Sequence, residues 1–184
     1  MATETPVRVT SRYSLRNMAL SIGVVLGIVV LLVVLLPRPH YDAVKQVDPR
    51  EAILSAQRVA PYHVLVPTGL PAGWRATSAQ VTGPDDHHVV HLHIGYVSPR
   101  GAYVALEESN QAATPFIELE SAHGKFRGQA PVNGQTWEQR FSANQSEYSL
   151  DRTDPSGVTV VVGGSSVARD APYAELMQLV DSLH

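Results

Sequence analysis

Val89-Val90-His91-Leu92-His93-Ile94-Gly95-Tyr96-Val97-Ser98-Pro99-Arg100-Gly101-Ala102-Tyr103-Val104-Ala105-Leu106 reads as two strands and the turn between them. His91, His93 and Gly95 alternate with Val90, Leu92, Ile94 and Tyr96, the period of a strand with two unlike faces. Proline at the second turn position presets φ, and glycine closes the turn, so Val89–Val97 and Ala102–Leu106 are expected to pair as an antiparallel hairpin.

Downstream the same grammar recurs. Gln135–Phe141 and Glu147–Arg152 alternate, Asp154-Pro155-Ser156-Gly157 is a turn, and Val158–Val162 is the return strand. Upstream, Trp74–Val81 alternates as well. Ala113-Thr114-Pro115-Phe116-Ile117-Glu118-Leu119 aligns with Asp170-Ala171-Pro172-Tyr173-Ala174-Glu175-Leu176, which matches Pro, aromatic, Glu and Leu. Two related hairpin-helix units account for these matches; so does chance agreement of common residues.

Helices are marked at both ends of this region. Asp48-Pro49-Arg50-Glu51 supplies a capping side chain, a proline at the first helical position and an early acid, and Pro61 ends the segment. The final helix is expected over Pro172–Leu183, with Leu176, Leu179, Val180 and Leu183 forming one stripe. The fold class that follows is α+β, an antiparallel sheet with helices on one face and the other face open to solvent. Trp74, Trp137, Phe116, Tyr173 and the terminal stripe are the expected core.

Ahead of this domain lies Asn17–Leu36, NMALSIGVVLGIVVLLVVLL, which carries no charge. A helix of that length matches the roughly 30 Å hydrocarbon layer of a bilayer. The run is longer than the apolar region of a signal peptide, no small-residue cleavage motif follows it, and the chain has no cysteine to acylate. The expected organisation is a cytoplasmic tail over 1–16, a transmembrane helix over 17–36, a stalk over 37–47 and an extracytoplasmic domain over 48–184. Arg8, Arg12 and Arg16 precede the span, and Arg38, Lys45 and Arg50 follow it, so charge alone leaves the orientation tied. A short basic N-terminal tail stays inside more often than a long downstream domain, which favours the N-terminus in the cytoplasm; the reverse topology stays open.

Beyond the span stand eleven cationic and sixteen acidic residues, a net charge of −5. Clustered cations that would displace phosphate counterions are missing from the pattern, so nucleic acid is not an expected partner. Without cysteine there is no disulfide, thiol nucleophile or Cys-ligated metal.

Arg16-Asn17-Met18, Leu70-Pro71-Ala72-Gly73-Trp74-Arg75-Ala76-Thr77-Ser78, Ile94–Tyr103 and Val132-Asn133-Gly134-Gln135-Thr136-Trp137-Glu138 together resemble one family. It is the actinobacterial single-pass membrane family known as domain of unknown function 4245, and the likeness runs from Arg16 to Leu183. The resemblance implies a cell-envelope protein with its C-terminal domain outside the cytoplasm, which resolves the charge tie. It carries no activity, cofactor or catalytic residue to this chain.

Coordinating groups concentrate in Asp85-Asp86-His87-His88-Val89-Val90-His91-Leu92-His93. His91 and His93 are expected on one strand face, with His88 or a turn aspartate as a possible third ligand for Zn, Cu or Ni. Polar filling of an exposed face explains the same histidines without a metal, so no metal, cofactor or catalytic residue is assigned. Gly163-Gly164-Ser165-Ser166 lacks nucleophile-elbow spacing and reads as a turn. Glu107 and Glu108 are adjacent on a strand and point to opposite faces. Glu118 and Glu175 are expected near helix starts, in structural roles. Tyr96 and Tyr103 flank the hairpin turn and are candidates for an exposed binding patch. The favoured reading is a membrane-anchored envelope module that binds a protein, lipid or glycan without catalysis; the alternative is a membrane-tethered, metal-assisted enzyme.

Overall fold

A computed structural model describes residues 12–35, 45–165 and 172–184. The chain divides into two compact units, Met1–Asp42 and Ala43–His184. Most of the expected tail and stalk, on residues 1–11 and 36–44, lies outside the described residues, as do Ser166 and Asp170-Ala171.

In the first unit α1 runs over Arg12–Leu35. Met18, Leu20, Ile22, Val24, Val25, Leu26, Ile28, Val29 and Leu31 are all exposed on it. Among the described residues, whose side chains in α1 are those of 17–29 and Leu31, no helix is long and apolar enough to cross a membrane.

The second unit begins with α2 (Arg50–Val59) and continues through β1 (Arg75–Thr82), β2 (His91–Val97), β3 (Tyr103–Ser109), α3 (Ala113–Glu120), β4 (Lys125–Val132), β5 (Gln135–Ser142), β6 (Glu147–Thr153), β7 (Thr159–Ser165) and α4 (Pro172–Asp181). All seven strands form one sheet in the order β1-β2-β3-β7-β6-β5-β4, and every neighbour is antiparallel. Two meanders, β1-β2-β3 and β4-β5-β6-β7, therefore meet edge to edge at β3 and β7, and each is followed by a helix.

The two proline turns share one geometry. The Gly101 amide donates to the Ser98 carbonyl and the Ser98 amide to Ala102; the Gly157 amide donates to Asp154 and the Asp154 amide to Val158, all at 2.9–3.0 Å. Ser98 Oγ and Asp154 Oδ1 accept further loop amides in the same way. Gly101 and Gly157 sit at φ 85° and 89°, a region that glycine enters without steric cost. Ahead of α2, Asp48 Oδ1 accepts the Arg50 amide at 3.0 Å, but the helix begins at Arg50 with Pro49 in the cap position, one residue later than expected.

Gly163 and Gly164, consecutive in β7, show how the layers stack. A Cβ on Gly164 would meet Leu176 of α4 at 3.2 Å, whereas one on Gly163 would meet the Glu120 carbonyl of α3 at 3.5 Å. The helices α3 and α4 thus lie on opposite faces. The main core joins Ala56 of α2 and Leu176, Leu179 and Val180 of α4 to Leu92, Ile94, Tyr96, Val104, Leu106, Trp137, Leu150, Val160 and Val162. This corrects the expectation of one open face, because α3 buries part of the second.

Several other residues sit differently from expectation. Phe116 is buried, yet it packs on the second face, edge-on to the His91 ring at 5.2 Å, rather than in the main core. Trp74 is only partly buried and stands edge-on to Tyr96. Gly163-Gly164-Ser165 belongs to β7 and is not a turn. Helix α4 stops at Asp181; Leu183 is buried in a bridge to Pro67, where the Thr68 amide donates to the Ser182 carbonyl at 2.8 Å.

Candidate functional site

Strand alternation sends His91 and His93 away from the core that Leu92 and Ile94 enter. In the β2-β3 register His93 lies opposite Glu107 and His91 opposite Ser109, so the Glu107 carboxylate falls between the two rings. Its Oε2 lies 2.8 Å from His91 Nε2, and its Oε1 lies 2.5 Å from His93 Nδ1. The second nitrogen of His93 is 2.8 Å from Ser78 Oγ on β1. A neutral His93 that donates from Nδ1 to Glu107 accepts from the Ser78 hydroxyl at Nε2.

The other wall comes from α3. Ala122 and His123 adopt φ of 51° and 57°, and the His123 amide donates to the Glu118 carbonyl at 2.7 Å, so the helix ends sharply and leaves Glu120 over the strands. Ligating atoms of His91, Glu107 and Glu120 all fall within 4.8 Å of one another. These residues, with His93, Gln80 and Thr82, line a cavity of about 430 Å³. The larger cavity of about 840 Å³ at the start of α2 gathers no comparable set of converging groups.

Electrostatics on this face are set by crowded carboxylates. Burial pushes the Glu107 carboxyl up, but hydrogen bonds from His91 and His93 outweigh it and hold the group below its usual range. The bond to Glu107 raises His93 against the opposing effect of burial. Glu120 is raised by burial and then by repulsion from Glu107, and Glu147 by burial and then by Glu120. Further along the same face Arg140 Nε contacts Asp151 Oδ1 and Arg140 Nη2 contacts Glu138 Oε2, both at 2.6 Å.

Glu108 points to the opposite face, as adjacency on a strand requires. It is fully buried, accepts the Leu65 amide at 3.0 Å, and burial pushes its carboxyl up to about 8.

His91 and His93 do share a face, but His88 and the turn aspartates do not join them. His87 and His88 are exposed, with His88 at φ 60°, and Asp85 Oδ1 is engaged by the amides of His87 and Val89. The groups that converge with His91 are Glu107 and Glu120, whereas His93 contacts Glu107 and Ser78 and is not one of the converging set. Glu118 is exposed in the last half of α3, not at its start, whereas Glu175 is buried in the first turn of α4. Tyr96 is buried in the core and Tyr103 lies on the other face, so the two form no common patch. Gly95 leaves the space in which the Tyr103 hydroxyl approaches Ser78. Sequence reading missed Glu107 and Glu120 as partners of the histidines. Counting back from the Ser98–Gly101 turn pairs His93 with Glu107; no comparable count reaches Glu120.

Residues 11–183 match the model of a family described as protein of unknown function (DUF4245). No curated protein and no solved structure matches the chain.

Proposed function

We propose that this chain, which belongs to the DUF4245 family, is held at a membrane by Asn17–Leu36 and presents its α+β unit outside the cytoplasm as a binding or scaffold module. The observation that carries this is the coincidence of an uncharged twenty-residue run with the 24-residue helix α1. At about 1.5 Å per residue, a helix over the whole of that uncharged run would extend about 30 Å, the depth of the apolar layer of a bilayer. Apolar side chains are exposed all around it, and a helix apolar on every side calls for a surrounding apolar medium. The basic N-terminal tail, with Arg8, Arg12 and Arg16, supports an inside N-terminus.

The outer unit serves a partner in the cell envelope, a protein, lipid or glycan, and not nucleic acid, given its net −5 charge. In this reading the Glu107–His93–Ser78 hydrogen-bond chain ties β1, β2 and β3 together as structure. The second reading, a metal-assisted enzyme, is favoured by one observation, the convergence of His91, Glu107 and Glu120.

Fractionation tests the anchor. The full chain should stay with membranes after an alkaline wash. Val25→Arg with Ile28→Arg, each costing about 2.5–3.5 kcal/mol near the centre of a span, should release it. Uncleaved wild-type chain in the soluble fraction would refute the proposal.

A further inference from the structure

We infer that His91 Nε2, Glu107 Oε2 and a carboxylate oxygen of Glu120 form a binding site for one divalent transition-metal cation of the zinc class, with His93 as the residue that positions Glu107. The inference concerns the outer unit and stands whether or not α1 lies in a bilayer.

Geometry is the first support. Three separate elements, β2, β3 and α3, deliver the three groups, and their ligating atoms already lie within 4.8 Å of one another. Tetrahedral zinc with bonds of about 2.0–2.2 Å holds neighbouring ligands about 3.4 Å apart. His91 and Glu107 at 2.8 Å would open by about 0.6 Å, and Glu120 would close by at most about 1.4 Å, within the reach of side-chain rotation.

A supporting shell behind the ligands is the second. Glu107 offers Oε2 to His91 while its Oε1 is held by His93 Nδ1, and His93 is in turn held by Ser78. Metal-binding carboxylates are characteristically oriented by such outer partners. Phe116, buried and edge-on to the His91 ring, restricts the imidazole.

Charge is the third. The carboxylates of Glu107 and Glu120 converge on one point, with Glu147 on the same face over Gly163, so their negative charges repel. A dication removes that repulsion. An imidazole in the set argues against calcium, which takes six to eight oxygen ligands, and favours zinc and its neighbours. Three protein ligands leave a fourth position to water, and the 430 Å³ cavity lined by Gln80 and Thr82 gives that water room.

The test is calorimetric titration of zinc into the EDTA-stripped full chain in detergent micelles, followed by cobalt substitution monitored by visible absorption. One zinc per chain at micromolar or tighter affinity is expected, with a cobalt band from the imidazole and carboxylate field. Glu120→Gln and His91→Gln should each weaken zinc by at least about tenfold. His93→Gln should weaken it by roughly 10- to 100-fold and shift the cobalt band, as loss of an outer partner does. His88→Gln, altering an exposed turn residue, should bind as the wild type does. Circular dichroism identifies any variant that has lost its fold; if His91→Gln has, Glu120→Gln and its cobalt spectrum decide. Absence of zinc binding by the wild type, undiminished binding by Glu120→Gln, or loss of binding in His88→Gln would overturn the site.

Discussion

Trp137→Ala is the substitution whose cost the structure defines most fully. The indole is 3% exposed and belongs to the core shared by α2, α4 and the sheet. It stands opposite Ala130 of β4, a side chain too small to fill the space that the indole would leave. Truncating a buried tryptophan costs about 3–5 kcal/mol in transfer and cavity terms together. The Arg152 guanidinium, 5.4 Å from the ring centroid, adds about 0.5–1 kcal/mol that alanine also forfeits. A loss of roughly 4 kcal/mol follows, which for a unit of this size lowers Tm by about 10–15 °C. The assay is a circular-dichroism melt of the full chain in detergent, beside Trp74→Ala as the internal comparison. Because Trp74 is only partly buried, its truncation should cost no more than half as much. A Trp137→Ala melt within about 3 °C of wild type, or one no worse than that of Trp74→Ala, would refute the placement of Trp137 in the core.

Asp151→Asn leaves the Arg140 guanidinium without its buried carboxylate at a position where Asp151 is 2% exposed; removing one partner of a buried pair costs about 3–5 kcal/mol, and the remaining Glu138 contact brings the expected loss to about 2–3 kcal/mol in a urea titration. Ala122→Gly acts in the other direction. The left-handed backbone at Ala122 costs an L-residue about 1–2 kcal/mol, and glycine forfeits about 0.5–1 kcal/mol in chain entropy, so the variant should gain roughly 0.5–1 kcal/mol in the same titration.

Most of the sheet is legible in the sequence because its central strands obey a two-residue period and its proline turns declare themselves. Leu92, Ile94, Val104 and Leu106 against His91, His93 and Glu107 is such a period, and it is the arrangement found. Strand β4 escapes that reading. Lys125–Val132, KFRGQAPV, lies at the sheet edge with only Ala130 and Val132 buried, so it carries no core period, and Pro131 argues against a strand. Its one signal is Asn133-Gly134, both at positive φ, the dipeptide of a tight hairpin. The candidate site is legible by half. Two histidines two residues apart on a strand must share a face, and the hairpin register brings them Glu107. Glu120 arrives through the docking of α3 on the second face, a tertiary event that no local pattern in Ala113–Glu120 encodes. The turn histidines misled for the converse reason: closeness in sequence to His91 does not bring His88 to it once the Asp85 turn directs the chain elsewhere.

The side of the membrane on which the α+β unit lies admits one direct measurement, because the chain has no cysteine. Ser156→Cys puts a single thiol in the exposed turn between β6 and β7, and Thr5→Cys puts one in the N-terminal tail. On intact cells a membrane-impermeant maleimide should label Ser156→Cys without lysis and Thr5→Cys only after it. Labelling of Ser156→Cys only after lysis would contradict an extracytoplasmic domain.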